Sequence, residues 1–414
     1  MTNKHTTYER VQLFSGGGSR FAYYLGSYAA LVAHDLRPDM IIGTCGGSLS
    51  AYLVHLAPEP KDLQALLYSH ELYTAICAIR HVRPDEANRR SKMRYITQAI
   101  QRWRLASKQG AKPQRSSPAS YEQLLAELQQ LAMFRIDDER YWLDSLSGVA
   151  NERNERRDKS ACGHKRIQST KQAIPEVAII ASRLQKASGV DSAWPPASYT
   201  AAGPAAVLQE LLFASPRVAT MMSLAAAMQG EADNKIRSPA HAFADGRIPP
   251  HVQIVSQWRF ADAIRASMAD MYYLPPTHIS ALGWCLGGVI NLTPVELACQ
   301  LGQTVFAESK AGYDTWLAAP AIKRVFGFDP NARLAQVHGY QREASHRHTE
   351  PLHWLPFADN AEQLAGQSVQ KRFSIKQMTV ALIHRDYDGF VQQMQAQWQY
   401  GYQRTSSYIR QHAL

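Results

Sequence analysis

Two glycine-rich turns in the first fifty residues hold the residues that could do chemistry. The first is GGGSR at 16–20, where consecutive glycines let backbone N–H groups point at one anion, so the turn could hold a phosphate or an oxyanion. The second is IIGTCGGS at 41–48, a G-x-C-x-G pattern typical of a nucleophile elbow, with Cys45 at its centre. Such an elbow places the thiol at a helix N-terminus, whose dipole is expected to lower the thiol pKa and favour the thiolate nucleophile.

The elements predicted around these turns bring them together. Short apolar runs at 11–14 and 40–42 are predicted strands, and the segments 20–34 and 48–56 are predicted helices. This β-α-β-α order indicates a parallel α/β sheet, in which both turns emerge at the same strand edge. Each turn alone also fits a purely structural strand–helix connection with a buried cysteine. Together they favour acyl transfer, because that reaction needs hydrogen-bond donors beside a nucleophile.

Later segments complete the predicted core. Apolar runs at 176–181 and 252–256 are predicted strands, and the stretch 205–230 is predicted to form two helices that break at a proline. The sequence TPVE at 293–296 predicts a helix start with Thr293 as its cap.

Together with a third block, these motifs resemble the patatin-like phospholipases, a family of lipid acyl hydrolases. The resemblance rests on GGGSR at 16–20, IIGTCGGSLSA at 41–51 and the stretch 264–302, which contains IRASMADMYYLPP and LGGVINLTPVELACQLG. The third block is similar to the family's Ala-Ser helix, its proline-containing turn and its D-G-G/A segment. The resemblance implies an α/β fold with a patatin-like parallel-sheet core and flanking helices. It also implies metal-free hydrolysis of lipid esters by a Ser-Asp dyad, with no cofactor.

The resemblance assigns a role to each site position, and both dyad positions differ from the family pattern. Cys45 stands at the nucleophile position, where the family has serine. Leu286 stands at the position of the family's aspartate, while Gly287 and Gly288 retain the turn. The family's oxyanion loop corresponds to Gly16, Gly17, Gly18 and Ser19.

Two other side chains are candidate substitute bases. Asp245 belongs to an isolated Asp-Gly pair, a pattern more typical of a turn. His278 lies near the third block, and a Cys-His pair is chemically reasonable, although a surface or packing histidine is the more frequent case. No metal site is expected.

Two functions compete. In the first, the protein is a lipid acyl hydrolase or acyltransferase that acts on lipid esters or thioesters through Cys45 and the glycine loop. In the second, it is a catalytically impaired patatin-fold protein, a pseudoenzyme, that binds lipid, acyl groups or a partner without turnover. The change of both dyad residue types favours the second function, whereas retention of the surrounding glycines favours the first.

The charge distribution suggests where the protein meets its partners. The chain has 414 residues and a formal net charge of +10. Residues 80–115 hold eleven Lys or Arg against two acidic residues, and residues 151–171 hold seven against three. Such a cluster is either a solvated face or a surface for anions. We therefore expect peripheral contact with anionic membrane through residues 80–171. Nucleic acid is the less favoured partner, because no recognised nucleic-acid module accompanies these residues.

The same features predict three regions. A patatin-like α/β core comprises residues 1–79 and 173–326, a basic and mostly helical insertion comprises 80–172, and a helical C-terminal extension comprises 327–414. Five irregularly spaced cysteines exclude a disulfide scaffold. The first residues contain no apolar signal core, and no run approaches the ~18 apolar residues of a membrane span. The expectation is a cytoplasmic protein with reduced thiols.

Overall fold

The computed structural model describes most of the chain. The described ranges are 7–16, 18–82, 120–137, 139, 141–148, 174–186, 206–228, 235–244, 247–270, 273–313, 318–340, 352–357, 363–364, 367–368, 372–374, 379–381 and 386–414. Apart from Arg80, the two basic runs of the predicted insertion lie outside these ranges, so the predicted membrane surface stays a prediction. No helix of the described ranges is both long and apolar enough to cross a bilayer.

The strands of the described ranges form one large sheet and three small two-stranded antiparallel sheets. Those of the large sheet are β1 (Tyr8–Phe14), β2 (Met40–Thr44), β5 (Glu176–Lys186), β6 (Ala206–Phe213), β7 (Gln253–Val255), β8 (Thr277–Ile279), β9 (Gly283–Leu286), β10 (Gly302–Glu308) and β11 (Leu352–Leu355). The small pairs are β3 (Ile79–His81) with β4 (Phe134–Ile136), β12 (Gln363–Leu364) with β13 (Gln367–Ser368), and β14 (Arg372–Ser374) with β15 (Thr379–Ala381).

The helices pack on this sheet and at its ends. They are α1 (Ala22–Ala33), α2 (Gly46–Leu56), α3 (Pro60–Leu67), α4 (His70–Cys77), α5 (Tyr121–Leu131), α6 (Pro216–Met228), α7 (Phe260–Met268), α8 (Val295–Leu301), α9 (Ala318–Phe326), α10 (Pro330–His338) and α11 (Tyr387–His412). Short 3₁₀ turns occupy Gly18–Arg20, Pro239–Phe243 and Gly288–Asn291.

The large sheet confirms the predicted α/β class. Its strands run in the order β11-β10-β1-β2-β5-β6-β7, and the neighbours from β11 to β5 are parallel. All five residues of β2 are buried, as expected for a parallel strand that is covered on both faces. Two apolar clusters form the main core. One contains Phe14, Ile41 and Ile179, the other Leu13, Ile42 and Ile180, so alternate residues of each strand supply opposite faces of the sheet.

Strand β5 determines where the third sequence block lies. Its first residues, 176–180, pair with β2 in parallel, and further along Ser182 and Arg183 pair with β9 in antiparallel. Strand β6 pairs with the other edge of β5, so β2 and β9 lie one after the other along the same edge of β5. The Gly287-Gly288 turn therefore lies just beyond the carboxyl end of β2, where the elbow begins.

The predicted pair of helices at 205–230 is wrong in its first half. Residues 206–213 form β6, which is antiparallel to β5, and only 216–228 is helical. Most residues of β6 are buried on both faces of the strand, including Leu211 and Leu212. A short apolar run of this kind has no periodicity that distinguishes a buried strand from a buried helix.

The segment after residue 327 contributes to the core. Strand β11 extends the central sheet beside β10, and α11 packs along α1. The two helices approach closely: a β-carbon at Gly26 would lie 2.0 Å from the Trp398 carbonyl oxygen. At the other end of the contact, a β-carbon at Gly401 would lie 1.9 Å from the Tyr23 carbonyl oxygen. The predicted division into core and helical extension therefore misses a sheet strand in the C-terminal region.

Candidate active site

Cys45 lies in a strained turn of the backbone between β2 and α2. Cys45 has φ 49° and ψ −123°, and it is the N-cap of α2. A non-glycine residue with this geometry carries about 1–3 kcal/mol of backbone strain. The strain is accompanied by close packing on both sides. A β-carbon at Gly43 would lie 2.7 Å from the Ser48 Cα, and one at Gly47 would lie 1.9 Å from the Phe14 carbonyl oxygen.

Hydrogen bonds from neighbouring elements hold the elbow in place. The Cys45 backbone N–H donates to Ser267 Oγ at 2.8 Å, and that hydroxyl donates to the Ile180 carbonyl at 2.6 Å. Thr44 Oγ1 donates to the Leu292 carbonyl at 2.8 Å. Helix α7, strand β5 and the 3₁₀ turn are thereby tied to one strained residue, which is how a fold maintains such a conformation.

The carboxylate that meets Cys45 comes from Asp270. This residue follows α7 and is 6% exposed. Its carboxylate accepts a hydrogen bond from the Val289 N–H at 3.2 Å. It also lies beside the Cys45 thiol, whose pKa it raises. It fills the space beside Gly287, where a β-carbon would lie 1.6 Å from Asp270 Oδ1. The site thus contains a thiol–carboxylate pair, with the carboxylate lying against the turn that follows Leu286.

The two groups differ in their expected charge. Burial raises the pKa of Asp270 from 3.8 to about 6, so this carboxyl is mainly ionised at neutral pH. Burial and the adjacent Asp270 carboxylate raise the pKa of the Cys45 thiol well above its ordinary value. The Gly46 N–H and the Lys310 ammonium act in the opposite direction on that pKa. The expectation of a thiol acidified by the helix dipole is therefore wrong, because burial and the Asp270 carboxylate raise the thiol pKa by more than these groups lower it.

The glycine loop lies against this pair, as its position in a parallel sheet predicts. A β-carbon at Gly16 would lie 2.8 Å from Cys45 Cβ, and one at Gly46 would lie 2.8 Å from the Gly18 carbonyl oxygen. Gly18 is exposed, with φ +59°, and opens a short 3₁₀ turn. Gly17 lies outside the described residues, as does the side chain of Ser19. The oxyanion role of the loop stays a prediction.

Two charged side chains flank the loop from β10 and the residues after it. Lys310 Nζ donates to the Gly16 carbonyl oxygen and lies 2.6 Å from Glu308 Oε1. The buried Glu308 carboxylate also accepts from the Tyr23 and Tyr24 hydroxyls. The loop is also tied to the third sequence block, because Ser15 Oγ and Thr293 Oγ1 lie 3.3 Å apart. Thr293 therefore does not cap α8 as predicted; the N-cap position is Pro294.

The other residues singled out from the sequence lie elsewhere. Leu286 is fully buried in the apolar cluster that contains Ile180 and Val289, and it offers no proton acceptor. His278 is exposed on β8 and packs its ring edge-on against Trp284, at 5.2 Å between ring centroids. Asp245 lies outside the described residues. Within the described ranges, no group of three or more His, Cys, Asp or Glu side chains could hold a metal ion.

Sequence reasoning missed Asp270, Lys310 and Glu308. Asp270 is separated from Cys45 by more than two hundred residues, and the two meet only through the pairing of β5 with β2 and β9. One signal was available: Asp270 directly follows the Ala-Ser helix of the third block and is flanked by apolar residues in SMADMYYL. A carboxylate in such a context is buried at a cost, which is typical of a functional site.

Comparisons with known proteins identify the family of this chain. The family model for patatin-like phospholipase matches residues 13–299. Two patatin-like phospholipase domain-containing proteins of Pyricularia oryzae, from strains 70-15 and Y34, are each 45% identical to this chain over 74 residues. The match covers 18% of this chain and 9% of each relative, so the chain spans less than a tenth of their length. The crystal structure of VipD from Legionella pneumophila gives a TM-score of 0.33 at 10% identity, covering 98% of this chain and 67% of that one.

Proposed function

We propose that this chain, which belongs to the patatin-like phospholipase family, cleaves lipid esters or thioesters with Cys45 as nucleophile and Asp270 as general base. The family consists of lipid acyl hydrolases, and this pair differs from the Ser-Asp dyad that the resemblance implies. The single observation that supports the pair is the placement of the buried Asp270 carboxylate beside the Cys45 thiol at a strained elbow.

The first half-reaction forms an acyl-enzyme. The Asp270 carboxylate takes the thiol proton while the Cys45 sulfur attacks the carbonyl carbon, and the carbonyl π electrons move onto oxygen. The proposed place of the resulting oxyanion is beside the glycine loop, with the backbone N–H groups of Gly16, Gly18, Ser19 and Gly46 as its candidate donors. Collapse re-forms the carbonyl and breaks the bond to the alkoxide or thiolate, which leaves with the proton from Asp270.

The second half-reaction regenerates the pair. Water, or a second alcohol or thiol in an acyl transfer, gives its proton to the Asp270 carboxylate as its nucleophilic atom attacks the thioester. Collapse then expels the Cys45 sulfur, which recovers the proton from Asp270. A carboxyl with a pKa of about 6 suits both roles, because it gains and loses a proton readily near neutral pH.

The test combines turnover with trapping of the intermediate. The native chain should release chromophore from a short-chain p-nitrophenyl ester and carry one acyl group on the Cys45 peptide, detected by mass spectrometry. Cys45→Ala should abolish both signals. Asp270→Asn should slow turnover by ~10²–10⁴, the usual value of general-base assistance. Full activity in either variant would contradict the proposed pair.

A second candidate function rests on the raised pKa of the Cys45 thiol. A thiol that holds its proton tightly is a poor nucleophile, which favours a protein that binds lipid or acyl groups, or a partner, without turnover. An iodoacetamide and a fluorophosphonate probe distinguish the two functions. Absence of labelling at Cys45 by both probes, together with retained binding of an acyl-chain ligand, would support the binding function.

A further inference from the structure

Lys310 links the end of β10 to the glycine loop. Its ammonium donates to the Gly16 carbonyl oxygen and lies 2.6 Å from Glu308 Oε1. The side chain of Lys310 is 13% exposed and that of Glu308 is 1% exposed. Two charges at this depth must be paired and hydrogen-bonded to be tolerated, so the ammonium has a defined position.

Helix α1 keeps this ion pair in place. The Glu308 carboxylate accepts a hydrogen bond of 2.5 Å from the Tyr23 hydroxyl and one of 2.6 Å from the Tyr24 hydroxyl. Burial raises the pKa of both tyrosines well above the ordinary value, so both remain protonated donors. With three donors on one buried carboxylate, Glu308 is a fixed anchor for Lys310.

Gly16, whose carbonyl oxygen accepts from Lys310, is in contact with the elbow. A β-carbon at Gly16 would lie 2.8 Å from Cys45 Cβ and 2.5 Å from Leu292 Cδ1, so the Gly16 backbone forms a wall of the site. The titratable side chains that influence Cys45 are Asp270 and Lys310, and Tyr313 interacts with the charges of Cys45, Asp270 and Glu308. Among these groups, Lys310 carries the only positive charge.

We propose that Lys310 is a positioning residue of this site, whose ammonium fixes the Gly16 backbone against the elbow and supplies a positive charge to the site. Lys310 acts through Gly16 and through its electric field, and it contacts no reacting atom. This inference rests on the proposed function of Cys45 as nucleophile. It gives the buried Glu308–Lys310 pair, which no step of the reaction uses, a role in the site.

The experiment measures the thiol directly, so it does not depend on turnover. The rate of iodoacetamide modification of the Cys45 peptide is followed by mass spectrometry at pH 8 in the native chain and in Lys310→Gln. Below the thiol pKa this rate is proportional to the thiolate fraction. Lys310→Gln removes a positive charge that lowers the pKa of this thiol, so we expect the rate to fall about tenfold.

Three further variants separate charge from structure. Lys310→Arg retains the charge and should restore the rate to near the native value. Lys61→Gln removes an exposed lysine on α3 and should leave the rate unchanged. Melting temperatures show whether Lys310→Gln is folded. If it is not, Lys310→Met, which removes the charge and keeps a long side chain, provides a second test and should slow the modification to a similar extent.

The outcomes are distinct. An unchanged modification rate in folded Lys310→Gln would overturn the inference, as would equal losses in Lys310→Arg and Lys310→Gln. On a p-nitrophenyl ester, Lys310→Gln should lower kcat and leave KM unchanged. A native chain without ester turnover, but with the expected tenfold difference in modification, would support the role of Lys310 and overturn the proposed hydrolase.

Discussion

Replacing Asp270 with asparagine should lower ester turnover and, in the same variant, raise the free energy of unfolding. Asparagine has nearly the shape of the carboxylate and can still accept through its amide oxygen, but it cannot take the Cys45 proton. Turnover of an ester should therefore fall by ~10²–10⁴. In the native chain, kcat/KM should rise with pH through about 6, as the carboxyl with that pKa ionises in the free protein.

The expected gain in stability follows from the same pKa. A carboxyl whose pKa rises from 3.8 to about 6 on folding is disfavoured as an ion in the folded state by about 3 kcal/mol. Because the folded pKa is the higher one, the protonated group stabilises the fold below about pH 3.8, and this stabilisation is lost as the pH rises through about 6. Asparagine remains neutral throughout. Asp270→Asn should therefore match the native free energy of unfolding near pH 4 and exceed it by up to about 3 kcal/mol at pH 8.

Urea unfolding at a series of pH values measures this difference. The matched control is Asp262→Asn, a part-exposed carboxylate on α7, which should change the free energy of unfolding by no more than about 0.5 kcal/mol. A difference between Asp270→Asn and the native chain that does not vary with pH would refute the assignment of a raised pKa. Native turnover in Asp270→Asn would refute its role as base.

Four further predictions concern the elbow, the apolar core, the contact between α1 and α11, and the basic residues of the chain. Cys45→Ser should retain ester hydrolysis, because its hydroxyl meets the same carboxylate, and loss of all turnover in a folded variant would contradict this. Leu286→Asp, in contrast, buries a charge in an apolar cluster and should lower the free energy of unfolding by about 3–5 kcal/mol in urea. Gly26→Ala places its β-carbon 2.0 Å from a carbonyl oxygen of α11 and should cost about 1–3 kcal/mol, whereas Gly148→Ala, with no atom within 4 Å, should leave the melting temperature unchanged. Binding to liposomes should rise with anionic lipid and fall with salt, by about 1 kcal/mol per engaged basic residue of 80–171, and equal flotation with neutral vesicles would indicate a solvated face.

Local patterns predicted the elements that carry the elbow. Strands β1 and β2 are short apolar runs that stop at glycine, and each is followed by a helix without internal proline, so sequence and structure agree there. Helix α5 also begins at a local signal, because the Ser120 hydroxyl accepts from the Gln123 N–H at 3.1 Å and caps the helix. These features depend on residues that are close in sequence, where propensity and capping determine the outcome.

What the sequence did not predict depends on contacts across the fold. The strand at 206–213 is specified by its place between β5 and β7, and not by a periodic pattern of its own. Thr293 has the residue type and spacing of a helix cap, yet its hydroxyl faces Ser15 instead. In both cases a tertiary partner overrides the local preference, and that partner is far away in the chain.

The glycines of the third sequence block show how the Asp270 carboxylate reaches the elbow. Leu286, at the position that the resemblance assigns to the family's aspartate, lies in the apolar core at the end of β9. The following residue, Gly287, has no side chain, and the space where its β-carbon would lie is filled by Asp270 Oδ1. Gly287 therefore has a steric role in this protein as well as a role in the turn. A carboxylate from the end of α7 reaches the elbow because Gly287 leaves room for it, which explains how the glycines around the site can be retained while the aspartate before them is not.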